Sequence, residues 1–299
     1  MIKSAYIFPG QGGQFVGQGK AWHNSMASVR HLFRLADEVT DKPITRLCFE
    51  GPIEELSLTS NLQPAVLTVS LAGALVHLEK GVIPSFAAGH SLGEFGALCL
   101  AGVFTEAETL TLVNQRAGLM QRAAMQNPGT MAAILNLDAA VIENICELAR
   151  AEGIVVLANF NTPAQTVISG STRAVSAAVK FAQAKGGRAI SLPVSGAFHS
   201  PLMKECGQAF SDLLREVDFK KPRFPVIPNA LGTPVEDPDE LKNLLQEQIT
   251  SPVYWVRTIE TLSQLGVEEY AECWPRPYLS SMVKKNLPDK SSARVICPS

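Results

Sequence analysis

Residues Gly89–Gly93 carry the most chemical information in the chain, because they place a serine between two glycines in the pattern G-x-S-x-G. The apolar run Phe86–Ala88 precedes this pentapeptide, and a helix-forming run, Glu94–Ala101, follows it. A strand, a sharp turn and a helix in that order make up a nucleophile elbow, which exposes the hydroxyl, here that of Ser91. The alternative is a strand-to-helix turn that merely contains a serine.

A serine nucleophile needs a general base, and the five histidines of the chain are the first candidates. His23, His31 and His77 fall within predicted helices. His90 is a poor candidate because neighbouring residues in a tight turn point apart. His199 follows a predicted strand, in the kind of loop where catalytic side chains gather. It is either the base or an ordinary turn histidine, and no Asp or Glu stands out as a third member, so a dyad with a neutral acceptor stays possible.

The segment Pro9–Gln14 contains three glycines and follows a strand-like run, Ala5–Phe8. Such a density of glycine after a strand indicates a loop whose backbone approaches another group closely. The phosphate-binding patterns are not met, because the spacing G-x-G-x-x-G is absent and no Gly-Lys-Ser/Thr follows. A plain surface turn remains the alternative.

Composition excludes several classes of protein. Of the 299 residues, 46% are hydrophobic and 18% charged, and the net charge is −2, so neither a disordered chain nor a nucleic-acid partner is expected. The six cysteines form no C-x-x-C pair, which argues against a zinc or redox site and for free thiols in a reducing compartment. No signal peptide and no uncharged apolar span is evident, so we expect a cytoplasmic protein without membrane contact.

The pattern along the chain predicts an α/β fold in two parts. Helices are predicted at residues 20–39, 64–80 and 106–125, and again at 239–248 and 258–265. Between Met131 and Val194 the predicted order is β-α-β-β-α-β, which is the ferredoxin-like plan. We therefore expect a ferredoxin-like subdomain at residues 128–196, inserted into an α/β-hydrolase-like large domain with a parallel sheet at residues 1–127 and 197–299.

Several motifs together resemble one family, the malonyl-CoA:acyl carrier protein transacylases, which include the stand-alone acyltransferases of trans-acyltransferase polyketide synthases. The similarity covers nearly the whole chain, and the motifs occur in the family's order. They are Phe8–Gln14, Gln63–Ala65, Gly89–Phe95, Gln115-Arg116, Asn159–Asn161, Ala197–Ser200 and Gln248 with Ser251–Val253.

This resemblance implies a role for each of several residues. Ser91 would carry the malonyl group as an ester, and His199 would act as base and then as acid. The main-chain carbonyl of Gln248 would orient His199, which would explain the missing acidic partner. The backbone N–H groups of Gln11 and Leu92 would form the oxyanion hole.

The resemblance also implies a substrate-binding set. Arg116 would hold the free carboxylate of the malonyl group, since a guanidinium matches a carboxylate with two parallel hydrogen bonds. From the sequence alone, without the resemblance, an exposed helix residue in a salt bridge is the favoured interpretation of Arg116. Gln63 and Asn161 would line the cleft, and Phe198 would occupy the space that an α-methyl branch needs, which favours malonyl over methylmalonyl groups.

One segment departs from the family pattern. Where the family has a Gly-Pro-Gly turn, this chain has Trp274-Pro275-Arg276, and Trp and Arg do not adopt positive φ as readily as Gly. The departure is either a surface variation or a change on the side that docks the carrier protein.

The resemblance leads us to expect an S-malonyltransferase similar to EC 2.3.1.39. Its substrates would be malonyl-CoA and phosphopantetheinylated acyl carrier protein, and no metal or cofactor is expected. A monomer is expected. An editing acyl hydrolase is the nearest alternative, although such relatives tend to lose the carboxylate-binding Arg. A silent docking module and a generic esterase are further alternatives, disfavoured by the presence of Ser91, His199 and Arg116.

Overall fold

The computed structural model describes residues 2–287 and 292–298. Residues 1, 288–291 and 299, which belong to the expected large domain, lie outside the described residues. Within that part, two separate sheets form. The strands are β1 Ser4–Phe8, β2 Pro84–Gly89, β3 Thr130–Leu135, β4 Val155–Thr162, β5 Gln165–Gly170, β6 Arg188–Ser191, β7 Val226–Ile227, β8 Glu269–Glu272 and β9 Arg294–Ile296. The helices are α1 Lys20–Ser25, α2 Ala27–Thr40, α3 Ile44–Glu50, α4 Ile53–Leu56, α5 Thr59–Glu79, α6 Gly93–Ala101, α7 Glu106–Gln126, α8 Ala139–Ala149, α9 Thr172–Ala184, α10 Lys204–Arg215, α11 Pro238–Glu247, α12 Trp255–Gln264 and α13 Ser280–Asn286.

The larger sheet is parallel and has the strand order β7-β2-β1-β8-β9. All five residues of β1 are buried, as expected for a strand covered on both faces. In the register of β1 with β2, Phe8 lies opposite Gly89. The loops that follow these two strands therefore begin at the same edge of the sheet, and they include Gln11 and Ser91.

The smaller sheet is antiparallel and has the order β4-β5-β3-β6. Its strands and the helices α8 and α9 follow one another as β-α-β-β-α-β, the order that the sequence predicts. The two helices pack on the sheet around a separate cluster of buried apolar side chains, which includes Ile142, Ile168 and Ala178. The last strand is shorter than predicted, because it ends at Ser191 and not at Val194.

Helix α7 confirms the predicted apolar stripe. Its members are all buried, namely Leu110, Val113, Ala117, Met120 and Ala124. A capping box starts the helix: Glu108 N–H donates to Thr105 Oγ1, and the Glu108 carboxylate accepts from Thr105 N–H. This fixed start sets the rotation of the helix and hence which side of it faces the interior.

The predicted helix at residues 20–39 is wrong in one respect, since Met26 is extended and divides it into α1 and α2. The hydroxyl of Ser25 bonds back to the carbonyls of Ala21 and Trp22 at the end of α1. Such side-chain-to-backbone bonds compete with helix continuation.

Helix α5 begins at Thr59, five residues before the predicted start at Pro64. Proline lacks an N–H, so the carbonyl of Ser60 has no helical partner there. The Lys42 ammonium donates to that carbonyl at 2.6 Å, which compensates for the lost bond. α5 is also long and apolar enough to cross a membrane, contrary to the expectation from the sequence, but 83% of its most apolar window is buried inside the protein. The burial of α5 therefore identifies it as a core helix of the fold.

The chain after residue 197 holds more structure than the sequence predicts. The predicted helices at residues 239–248 and 258–265 correspond to α11 and α12, whereas α10, α13 and the short strands β7, β8 and β9 were not predicted. Strands of two to four residues give too few positions for a periodic pattern to be read.

Candidate active site

Ser91 sits in a sharp turn between β2 and α6, with a positive φ of 51°. The two flanking glycines are required by close backbone approach. A Cβ at Gly89 would lie 1.9 Å from the carbonyl carbon of Gly93, and a Cβ at Gly93 would lie 2.1 Å from the carbonyl oxygen of Phe8. The glycines of the pentapeptide therefore allow the tight turn that presents the serine hydroxyl.

The hydroxyl of Ser91 lies 2.8 Å from Nε2 of His199. The other ring nitrogen, Nδ1, lies 2.9 Å from the carbonyl oxygen of Ser251 and 3.1 Å from that of Gln248. Because both of these acceptors are carbonyls, Nδ1 carries the proton and Nε2 presents its lone pair to the serine. The sequence analysis expected the Gln248 carbonyl here and missed the nearer one of Ser251.

His199 is 4% exposed, and this burial is the main cause that lowers its pKa to about 4. The positive charge of Arg116 lowers the pKa further. The imidazole is therefore neutral at neutral pH and able to accept a proton. Within residues 2–287 and 292–298 no carboxylate contacts the ring, and the described hydrogen-bond partners that orient it are neutral.

Two backbone N–H groups near the serine, those of Gln11 and Leu92, donate no hydrogen bond within residues 2–287 and 292–298. Leu92 immediately precedes α6, where the helix end favours negative charge. The loop that carries Gln11 is held by Tyr278, whose hydroxyl donates to the Gln11 carbonyl at 3.0 Å. Both N–H groups are thus free to stabilise an oxyanion.

Arg116 is fully buried, not an exposed helix residue in a salt bridge. Its guanidinium donates to the amide oxygen of Gln63 at 2.8 Å and to that of Gln248 at 3.0 Å, and it lies 5.6 Å from the ring centre of Phe95. Its Nε is buried without a hydrogen-bond partner, and burial lowers its pKa to about 10. A buried cation held only by neutral oxygens is suited to bind an anion.

A cavity of about 290 Å³ adjoins the dyad. Ser91, His199, Gln11, Asn161 and Phe198 are among the residues that line it. Much of the remaining wall is apolar, with side chains from the small sheet and from the segment before His199, namely Met131, Ala133, Val167, Ile190, Leu192 and Val194. The cleft therefore lies between the two sheets.

Arg116, Gln63 and Gln248 are not lining residues of the cavity, contrary to the expectation for Gln63. The two glutamines are hydrogen-bonded to residues of its wall, and Arg116 is hydrogen-bonded to the two glutamines. Gln63 donates to Oε1 of Gln11 at 3.3 Å and to the sulfur of Met120, both of which line the cavity. Gln248 donates to the carbonyl of Ser91 at 3.0 Å. The structure thus brings these residues within one or two contacts of the serine.

Asn161 lines the cavity, and its clearest contact is with His90, whose Nε2 lies 2.8 Å from Asn161 Oδ1. The ring of His90 also packs edge-on against Trp255. His90 is thereby turned away from Ser91, as the sequence analysis argued. His23, His31 and His77 take no part in the site.

Two residues at the centre of the site had no assigned role in the sequence analysis. Glu94 is buried within a helix that is otherwise apolar. A single charged residue in an apolar helix is a feature of the sequence that could have indicated a role in the site. Asn229 accepts from Ser91 N–H at 2.6 Å and lies between β7 and α11, where nothing local marks it.

The unusual turn at Trp274-Pro275-Arg276 packs against the glycine-rich loop. Trp274 is buried, whereas Arg276 is exposed and its guanidinium stacks 3.7 Å from the ring centre of Phe15. Non-glycine residues are accommodated because none of these three has a positive φ.

Comparison with known proteins defines the class. Residues 5–297 match the family model described as the acyl transferase domain, and the chain belongs to that family. Among curated relatives, it is 41% identical over 287 residues to the malonyl CoA-acyl carrier protein transacylase of Bacillus subtilis strain 168, covering 95% of this chain and 90% of that protein. It is 38% identical to the protein of the same name from Escherichia coli K12, covering 95% and 93%.

Solved structures agree with these relatives. The acyl-carrier-protein-S-malonyltransferase of Bartonella henselae superposes with a TM-score of 0.94 at 37% identity, covering 100% of this chain and 96% of that one. A malonyl-transacylase in complex with a type II PKS acyl-carrier protein also gives 0.94, at 34% identity, covering 99% and 96%. The α/β fold with one parallel and one antiparallel sheet matches these structures.

The lowered pKa of His199 leads to a test that does not depend on the natural substrate. The rate at which a serine-directed fluorophosphonate labels Ser91 should stay within about twofold from pH 8 to pH 5, then fall through about pH 4 as the imidazole takes a proton. The pKa of His199 is lower in the folded protein than in the unfolded chain, so the unfolded state binds more protons. The free energy of unfolding should therefore also decrease as the pH falls below about 6.5. Labelling at short times, read by intact mass, with Ser91→Ala as the unlabelled control, measures the profile. A midpoint near 6.5 would contradict it.

Proposed function

We propose that this protein transfers a malonyl group from malonyl-CoA to the phosphopantetheine thiol of an acyl carrier protein, through a malonyl ester on Ser91. The observation that carries the proposal is the buried guanidinium of Arg116, which forms no salt bridge with any described residue and is bonded through Gln248 to the carbonyl of Ser91. The names of the curated relatives and the solved complex with an acyl-carrier protein support both the reaction and the partner.

In the first half-reaction the Ser91 oxygen attacks the thioester carbonyl carbon while Nε2 of His199 takes the hydroxyl proton. The carbonyl oxygen becomes an oxyanion, which the N–H groups of Gln11 and Leu92 stabilise. When the carbon–sulfur bond breaks, the imidazolium returns the proton to the departing sulfur of CoA. Free CoA leaves, and the acyl group remains as an ester.

The second half-reaction repeats these steps with the carrier's thiol. His199 takes the thiol proton, the sulfur attacks the ester carbonyl, and the proton passes to the Ser91 oxygen as the ester bond breaks. The products are malonyl carrier protein and free enzyme, in a ping-pong sequence. Neither half needs a metal or a cofactor, and we propose none.

Arg116 favours a malonyl group in two ways. A carboxylate satisfies the unpartnered Nε and neutralises a buried charge, whereas an acetyl group leaves the guanidinium as it is. The charge of Arg116 also disfavours protonation of His199. A bound carboxylate offsets that charge, so the imidazolium that forms during attack costs less free energy with malonyl-CoA.

The same Arg116 argues against an editing acyl hydrolase, whose uncharged acyl substrates gain nothing from a buried cation. We further propose that the protein acts as a cytoplasmic monomer. The two sheets support a division into an α/β-hydrolase-like domain at residues 1–127 and 197–299 and a ferredoxin-like subdomain at residues 128–196, for which the strand order β4-β5-β3-β6 is the support.

Intact-mass analysis tests the proposed reaction. After incubation with malonyl-CoA, the mass of the protein should increase by one malonyl group, and the adduct should move to added holo-acyl carrier protein. Ser91→Ala should remove the adduct because it removes the hydroxyl that is hydrogen-bonded to Nε2 of His199. A docking module would give no adduct with the native chain, and a hydrolase would release free acid from acyl carrier protein.

Removal of the guanidinium should lower kcat/KM for malonyl-CoA by about thirtyfold or more, since a buried charge pair that loses one partner costs about 2 kcal/mol or more. Arg116→Ala should affect acetyl-CoA far less, so the ratio of the two kcat/KM values is the measurement. Arg122→Ala, at an exposed position of the same helix, is the matched control. An unchanged ratio would refute carboxylate recognition by Arg116.

The ring of Phe198 lines the cavity, and its truncation should enlarge the space next to the reacting carbon. Phe198→Ser should raise the share of methylmalonyl transfer in a competition between the two acyl-CoA substrates by about tenfold, within the range for one methyl group in a pocket. Product ratios measured by mass spectrometry decide the question. If selectivity is the same in the variant, Phe198 does not determine extender choice.

A further inference from the structure

The side chain of Asn229 spans the nucleophile turn. Its Oδ1 accepts from Ser91 N–H at 2.6 Å, and its Nδ2 donates to the carbonyl of Gly89 at 2.7 Å. Asn229 is 2% exposed, and only a side chain with a donor and an acceptor on one planar group can make both bonds at once. The two bonds lie on either side of the positive-φ conformation of Ser91.

The Glu94 carboxylate accepts a hydrogen bond from the backbone of Asn229. Its Oε2 accepts from the backbone N–H of Asn229 at 3.0 Å and from Nε2 of Gln248 at 2.9 Å. Glu94 is 1% exposed and lies in the first turn of α6, the helix that follows the serine. A buried carboxylate that accepts from two separate segments fixes their relative positions.

Gln248 is where these contacts meet the rest of the site. Its Nε2 donates to both Glu94 and the Ser91 carbonyl, and its Oε1 accepts from Arg116. Its own carbonyl accepts from His199. Because Glu94 and Ser91 both require a donor, they decide which end of the Gln248 amide faces Arg116.

We propose that Asn229 and Glu94 are positioning residues, which hold the nucleophile turn and the Gln248 amide in one rigid frame. Asn229 keeps the Ser91 backbone in its strained conformation. Glu94 orients Gln248 so that an oxygen faces Arg116. The inference rests on the proposed function for the role of Arg116, but the part that concerns Ser91 does not depend on the acyl group.

Substitutions at the two positions should have different effects on catalysis. Asn229→Asp replaces the donor to Gly89 by an oxygen, so the turn loses one bond and gains a repulsive contact, and the attack geometry suffers for every acylating agent. Glu94→Met keeps a side chain of similar length but removes the single oxygen, Oε2, that accepts from both Asn229 N–H and Gln248 Nε2. The Gln248 amide then loses its fixed orientation, and the grip of Arg116 on a carboxylate weakens selectively.

The experiment compares Asn229→Asp, Glu94→Met and the exposed control Asn243→Asp in the full-length protein. Asn229→Asp should lower kcat for both malonyl-CoA and acetyl-CoA by about ten- to a hundredfold, with KM within about twofold, and should slow fluorophosphonate labelling of Ser91 by the same factor. Glu94→Met should lower the malonyl-to-acetyl ratio of kcat/KM at least about fivefold while labelling falls less. Asn243→Asp should leave all rates unchanged.

Near-UV circular dichroism and the titrated fraction of active sites correct each rate for folded protein. Corrected rates of Asn229→Asp equal to those of the native chain overturn the role of Asn229, and an unchanged ratio in Glu94→Met overturns that of Glu94. If either variant does not fold, Asn229→Ser or Glu94→Leu takes its place, with the same expected result and the same overturning result. If the native chain does not transfer malonyl groups, the labelling rates still decide the role of Asn229, so this failure is distinct from that of the proposed function.

Discussion

A guanidinium buried with no carboxylate against it is the constraint on which the rest of the site depends. Removing a charge from water is costly unless hydrogen bonds replace the lost solvation. The oxygens that do so come from Gln63 and Gln248, which lie 53 and 132 positions from Arg116 in the sequence. Helices α5, α7 and the end of α11 must therefore meet at one point. The cation is solvated by groups too weak to neutralise it, and this leaves it able to bind an anion strongly.

The Ser91–His199 dyad is also held by neutral groups. Carbonyl oxygens orient the imidazole here, whereas a carboxylate does so in other serine enzymes. Two carbonyls fix the tautomer of His199, and burial keeps the ring neutral. An acidic third member would place a negative charge near the binding site of a negatively charged acyl group. Carbonyl oxygens orient the imidazole without adding a second acidic group to that of Glu94, whose pKa burial raises to about 7. The choice of neutral partners is therefore consistent with a dicarboxylic substrate.

Strand order brings the separate parts of the site together. β1 and β2 are parallel neighbours in register, so the loops that carry Gln11 and Ser91 emerge side by side. The small antiparallel sheet supplies the opposite wall, and a bridge between Asn159 and Val253 ties it to the segment that holds the His199 ring. A cleft between two sheets results. Ser91 and Gln11 lie at the edge of the parallel sheet, His199 lies on the segment between β6 and α10, and the small sheet supplies apolar side chains.

The sequence by itself determined the local features. The pentapeptide around Ser91, the apolar stripe of α7 and the β-α-β-β-α-β order could all be predicted, because each depends on residues close together in the chain. It did not determine the burial of Arg116, the second acceptor for His199 or the role of Asn229. Those depend on contacts between segments far apart, where Asn229 and Ser91 are separated by 138 positions. Only the tertiary structure decides which polar side chains are removed from water together, since desolvation is a property of the packed fold and not of any one segment.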